Sequence, residues 1–203
     1  MNSQITKNNN VLELGKTYRL AGYDWTACEL INNGKTLVIQ SHGVTSGAWP
    51  GYVMPQFGNG NFYAADIDGE DISTYDDKMQ ALYEAIKDAE DSSTSYGKGL
   101  FLISKEKAGF TEWCEPGSGN YWQALKEASM NYQSFGAADG NASLGTVYVY
   151  HNAWYVYSDG YVYTDGNQDY DFVVAPAFNL DLSKVDIVGD EIMIKAMSDP
   201  LEI

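Results

Sequence analysis

The sequence predicts an α+β fold: a mixed, mostly antiparallel sheet with two main helices and long loops. Three observations carry this. Short β-branched and aromatic runs occur at both ends of the chain, punctuated by Asn-Gly, Asp-Gly and Gly-Asp turns. Two segments repeat apolar residues at helical spacing. The chain has 203 residues, 44% of them hydrophobic, which suits one core and a single domain over 1–203.

Residues 1–11 are polar and read as an amino-terminal arm. Strands are predicted over 16–20, 24–32 and 35–41, the last two joined by the turn Asn32-Asn33-Gly34. The stretch 42–72 is rich in Gly, Asn, Asp and aromatics and reads as a long loop insertion. A helix is predicted over 74–90. Ser73 and Thr74 offer caps, Asp76 and Asp77 suit the positive end, and Met79, Leu82, Tyr83 and Ile86 form one apolar stripe.

A polar linker, 91–99, leads to a short buried strand at 100–104. The second helix is placed at 120–132, with Trp122, Leu125, Ser129 and Tyr132 on one face. The runs 146–151, 154–158 and 161–164 predict a β-meander, and 172–175 adds a strand. Strands over 180–187 and 191–196, turning at Gly189-Asp190, close the sheet.

The charge is lopsided: 12 basic against 28 acidic residues, net −16, with a pI near 4.2. Such a chain repels phosphate backbones, so direct nucleic-acid binding is not expected. Acidity serves solubility first; its sharper readings are cation binding, a basic protein partner, or mimicry of nucleic-acid charge. No apolar run reaches the length of a membrane span, and the first ten residues carry no apolar core of a signal peptide. The expectation is cytoplasmic synthesis, with the host cytoplasm or a virion as the working location.

Catalytic patterns are weak. His42 has Ser41, Ser46 and Asp66 near it in sequence, but no nucleophile-elbow motif frames them. His151 ends a strand run. Cys28 and Cys114 show no paired ligand spacing with the two histidines, which disfavours zinc. Two cysteines define no disulfide framework, and buried free thiols are their default. Glu84 and Asp88 lie one turn apart on a solvated helix face. The chain therefore reads as a non-enzyme.

The acidic loop Asp165, Asn167, Asp169 and Asp171 sets oxygen ligands at alternate positions, and Asp66, Asp68, Glu70 and Asp71 form a second such loop. Hard cations take such oxygens, and Ca2+ is the ion they would suit. Neither loop has the glycine that a calcium-binding EF-hand needs at its sixth position, and acidic turns normally stay solvated. No cofactor is expected beyond that candidate.

The aromatic meander is the strongest candidate site. One reading takes Trp154, Val156 and Tyr161 as core; alternation supports a core for one face only and leaves Tyr155, Tyr157, Tyr163 and Tyr170 to be placed. Each Tyr offers a rigid ring and one hydroxyl at low entropic cost, the chemistry of recognition surfaces. Trp49 and Tyr52 in the long loop would extend the patch, as would Phe62 and Tyr63.

The order of motifs resembles a family of uncharacterised domains common in prophages and surface proteins of Firmicutes. The resemblance rests on Tyr23-Asp-Trp25 in an early strand, the helix from Tyr75, the Leu100–Ser104 segment, the Val156–Gly160 hairpin and VVAPAFNLDL at 173–182. It implies a C-type-lectin-like layout, in which a long loop region bears the binding surface, and no catalytic chemistry. With it comes the functional expectation: a phage- or prophage-encoded binding module that recognises a protein or glycan, as a homo-oligomer or a virion, tail or surface component. The competing reading, motivated by charge, is an intracellular counter-defence inhibitor that fills a basic nucleic-acid groove of a host enzyme.

Overall fold

A computed structural model of the chain describes residues 4–7, 10–42, 77–94, 99–101, 103, 107, 109, 117–127, 132–134, 153–157, 162–166 and 173–196. Its centre is a six-stranded mixed sheet. The strands are β3 (Thr17–Leu20), β4 (Tyr23–Ile31), β5 (Thr36–Ser41), β10 (Ala177–Asp181), β11 (Val185–Val188) and β12 (Glu191–Ile194), in the order β10-β5-β4-β3-β12-β11. All neighbours are antiparallel except β12 and β3, which run parallel. That junction is narrow. It rests on the Arg19–Glu191 pairing, a 2.7 Å bond from the Arg19 N–H to the Asp190 carbonyl, and the Lys16–Asp190 ion pair. With the two helices described below, the fold is α+β.

Strand alternation sorts side chains into two cores. Trp25 and Ala27 on β4, Leu37 and Ile39 on β5, and Phe178 and Leu180 on β10 share one face and are fully buried. They pack with Leu82 and Ile86 of helix α1 (Asp77–Ile86) and with Ala89 of the 3-10 turn that extends it. On the other face Val38 and Ala177 pack with Phe101, Ile103 and the Tyr121 and Trp122 rings of helix α2 (Gly119–Glu127). The two helices thus cover opposite faces of the β4–β5–β10 half of the sheet.

One irregularity makes this sorting work. Ala27 pairs with Ile39 but Glu29 pairs with Val38, so Cys28 is an extra residue, a β-bulge. Without it, alternation would bury Glu29 in the main core and turn Leu30 away from it. With it, Leu30 packs against the main core, while Cys28 and Ile31 join the α2 side. Glu29 meets the Lys107 ammonium at 2.6 Å and accepts from the Tyr121 hydroxyl at 3.0 Å. Asn120 fastens α2 to the bulge, donating to the Cys28 carbonyl at 2.9 Å. Gly15 passes beside it with φ +84°, and a Cβ there would lie 2.9 Å from Asn120 Oδ1.

The outer edge of β10 is covered by the crossover after α1. The Asp91 N–H donates to the Asn179 carbonyl at 2.9 Å, and Phe101 exchanges both backbone bonds with Ala177, at 3.0 and 2.7 Å. Covering an edge in this way blocks pairing with another chain. Glu90 ties the crossover together, accepting from the Gly99 N–H at 2.6 Å and the Tyr83 hydroxyl at 2.7 Å. Asp91 accepts from the Ser93 N–H at 2.9 Å, the Ser93 hydroxyl at 2.6 Å, Asn32 Nδ2 at 3.2 Å and the Thr36 hydroxyl. Burial disfavours its charge, but these donors outweigh burial and hold the carboxyl at a pKa of about 2.

Several boundaries differ from expectation, each for a local reason. The polar start is not a bare arm: β1 (Gln4–Lys7) pairs antiparallel with β2 (Asn10–Glu13), and Leu12 anchors β2 in the main core. The Glu13 N–H donates to the Tyr18 hydroxyl at 3.0 Å. The turn at Asn32–Gly34 is a 3-10 turn that holds Asn32 and Asn33 at φ 51° and 56°, a region that Asn tolerates. Of the predicted strand at 100–104, Leu100, Phe101 and Ile103 are described, and Phe101 bridges Ala177.

The strand expected at 180–187 is two, β10 and β11. Asp181 accepts from the Ser183 N–H and hydroxyl, which folds Leu182–Lys184 into a 3-10 turn. The second helix is described only to Glu127, and Tyr132 opens a strand instead, β6 (Tyr132–Ser134). Glu84 and Asp88 are exposed, Glu84 in an ion pair with Lys87. Cys28 is a buried free thiol whose pKa burial pushes well up. The long loop insertion beyond His42, together with His151, Cys114 and the run 146–151, lies outside the described residues.

Asp91→Ala should lower stability at neutral pH by about 1–3 kcal/mol, because it orphans partly buried donors. The folded pKa lies below the ordinary value of about 3.9, so the carboxylate's contribution is complete above roughly pH 4 and is lost as pH falls through about 2. Urea unfolding of both proteins across that window should show their stability gap closing with acid; a constant gap would contradict the assignment. In a Cys114→Ser background, Cys28 should resist iodoacetamide at pH 8 until the protein is unfolded; rapid labelling of the native state would contradict its burial.

Candidate binding surface

Four short strands form a second sheet in the order β8-β7-β6-β9, with β7 at Ala153–Tyr157, β8 at Val162–Gly166 and β9 at Val173–Val174. Their composition suits them to it: AWYVY and VYTDG concentrate the aromatic and β-branched types that fit a pleated surface. β7 runs antiparallel to both β6 and β8, and β9 runs parallel to β6. β9 continues through Ala175-Pro176 into β10, so the two sheets are joined by two residues of chain. Both joining residues are buried.

The register decides which residues share a face. Tyr155 stands opposite Tyr163 on β8 and opposite Ser134 on β6. Tyr157, two positions along β7, stands opposite Tyr132. Paired residues occupy the same face and alternate residues return to it. Tyr132, Tyr155, Tyr157 and Tyr163 therefore lie on one face, together with Ser134 and Val174. The opposite face carries Gln133, Val156, Val162 and Val173. Directly paired positions sit roughly 4.5–5.5 Å apart across the strands, and alternate positions about 6.5–7 Å apart along them.

Of the sequence-based candidates, the register brings Tyr155, Tyr157 and Tyr163 together. Tyr170, Trp49 and Tyr52 lie outside the described residues. Tyr132 was missed. Its Tyr-Gln-Ser context follows a helical pattern closely, and three residues of strand carry too little alternation to mark it.

The acidic loop divides similarly. Asp165 lies on β8, and Asn167, Asp169 and Asp171 fall outside the described residues. Between Tyr163 and Gly166, β8 advances three residues while β7 advances two, which is a bulge. Thr164 and Asp165 therefore share the space opposite Trp154, and Asp165 leaves the simple alternation that places Tyr163.

The nucleophile candidates make local hydrogen bonds where they are described. His42 ends the β5 segment half-buried, with Nε2 2.7 Å from the Thr26 hydroxyl. Its N–H donates to the Asp24 carbonyl at 2.9 Å, which closes the β4–β5 ladder. Ser41 is buried beside it, its N–H donating to the Pro176 carbonyl at 2.8 Å. Next to this pair, Gln40 is wholly buried and donates its amide to the Ala175 carbonyl. Ser46, Asp66 and Cys114 lie outside the described residues. Among the described residues no cluster of three or more His, Cys, Asp or Glu side chains is arranged to hold a metal ion, and no helix is long and apolar enough to cross a membrane.

No protein-family model, curated protein or solved structure matches this chain.

Proposed function

We infer that the protein is a non-catalytic recognition module whose tyrosine-bearing sheet face binds a protein or glycan. The observation that supports this reading is the register, which aligns Tyr155 with Tyr163 and Tyr157 with Tyr132 on one face. Four phenols in two adjacent rows form a platform of rings that can stack on an apolar ligand face, and each adds a hydroxyl for orientation. Val156, Val162 and Val173 take the opposite face, and Val174 shares the tyrosine face. In this reading the layout is C-type-lectin-like: two helices, short mixed strands and a recognition surface built apart from the main sheet.

The charge supports a second reading, an acidic inhibitor that occupies a basic groove on another protein. The net charge of −16 would drive such an association from a distance. Salt separates the two: contacts dominated by charge weaken steeply with ionic strength, and ring stacking does not.

The test is binding of the wild type and of a Tyr157→Ala/Tyr163→Ala variant to glycan and peptide arrays. The expected result is a ligand retained by the wild type and lost by the variant, whose Tm shifts by only about 2 °C. A drop of more than about 8 °C would place these rings in the core and overturn the reading.

A further inference from the structure

We propose that the tyrosine face docks a lysine- or arginine-rich segment of a partner protein. This rests on the recognition reading and names the chemistry of its ligand. Two independent observations favour a cation. The first is the register, which places four tyrosine positions on one face. The face of a phenol ring is the negative end of its quadrupole and attracts ammonium and guanidinium groups. The second is the charge of the sequence span. From Tyr132 to Val174, the span that contributes every strand of this sheet, the sequence has no Lys or Arg and five Asp: Asp139, Asp159, Asp165, Asp169 and Asp171. The chain's cations are thus excluded from the segment that carries half of its 16 tyrosines.

Charge and rings act in the same direction on a cationic ligand. On an anionic one, such as a phosphorylated or uronic-acid polymer, the net charge of −16 acts against binding. A neutral glycan gains from the rings alone. The same pairing already recurs inside the fold. Lys16 Nζ lies 5.4 Å from the Tyr18 ring centroid, and Lys107 Nζ lies 5.8 Å from that of Tyr121. In both cases a nearby carboxylate, Asp190 or Glu29, completes the cation's environment. A partner's lysine seated over Tyr155 or Tyr163 with an aspartate nearby would repeat that arrangement across an interface.

The experiment titrates the full chain with three probes: a decalysine peptide, maltoheptaose and a decaglutamate peptide. It uses the wild type, Tyr155→Ala/Tyr163→Ala and Tyr155→Phe/Tyr163→Phe, with thermal unfolding as the check on folding. The expected result is decalysine binding that falls by about tenfold in the alanine variant and is kept by the phenylalanine variant, whose rings lack only the hydroxyl. If the double alanine variant does not fold, Tyr163→Ala alone, on the edge strand β8, carries the comparison with a smaller loss. Decalysine binding that is equal in the wild type and the alanine variant would reflect bulk charge and overturn the proposal. Ring-dependent binding of maltoheptaose without decalysine would overturn the cationic ligand and keep the recognition surface. Absence of ring-dependent binding to all three probes would overturn the proposal as well, whereas the failure of the recognition reading is registered by the array and stability comparison above.

Discussion

The antiparallel ladder of β4, β5 and β10 is the constraint on which the rest of this molecule depends. A strand has two faces, and pairing commits each residue to one of them. Here both faces are needed, because α1 covers one and α2 the other. A strict alternation along Tyr23–Ile31 would satisfy one core and ruin the other, with a carboxylate buried among Trp25, Leu37 and Phe178. The bulge at Cys28 resets the alternation once, between the two demands. Glu29 reaches Lys107 and Tyr121, and Leu30 reaches the main core. The cost of an unpaired backbone position is offset by avoiding an uncompensated buried charge.

From this ladder the remaining architecture follows by attachment. The crossover after α1 lies along the free edge of β10 because Asp91 and Phe101 complete its backbone bonds. Asp91 and Asp181 use the same device, an aspartate that accepts from the N–H and hydroxyl of a serine two residues on. One fixes the turn that enters the crossover and the other separates β10 from β11. The carboxy-terminal hairpin of β11 and β12 then joins β3 through a narrow parallel contact, while Val185, Ile187 and Ile192 supply the hydrophobic grip.

Much of this was legible in the sequence where one signal dominates locally. The alternation in β4 and β5, the Leu82–Ile86 stripe of α1 and the Gly189-Asp190 turn all act over a few residues, and the elements lie within a few residues of their expected positions. What was not legible depends on partners distant in sequence. Nothing in TACELI announces that Cys28 is the extra residue; Val38 and α2 decide it. The polar start pairs because Leu12 finds a core made by strands up to 180 residues away. Phe101 pairs with Ala177, a partner 76 residues further along the chain. The Asp181-Leu182-Ser183 break was in principle readable, since Asp-x-Ser is a turn pattern, but the surrounding apolar run masks it. At the candidate surface, Tyr155, Tyr157 and Tyr163 could be assigned a common face from alternation and a hairpin alone. Tyr132 could not, because its membership depends on a strand pairing with β7 from more than twenty residues away.

The functional account therefore reduces to a question of register in the second sheet. A slip of one residue between β7 and β8 would send Tyr155 and Tyr163 to opposite faces and divide the platform that the proposed recognition needs. Backbone NOE measurements on isotopically labelled protein address this directly. The account predicts cross-strand contacts that pair Tyr155 with Tyr163 and Tyr157 with Tyr132. Contacts that pair Tyr155 with Val162 or Thr164 instead would contradict it.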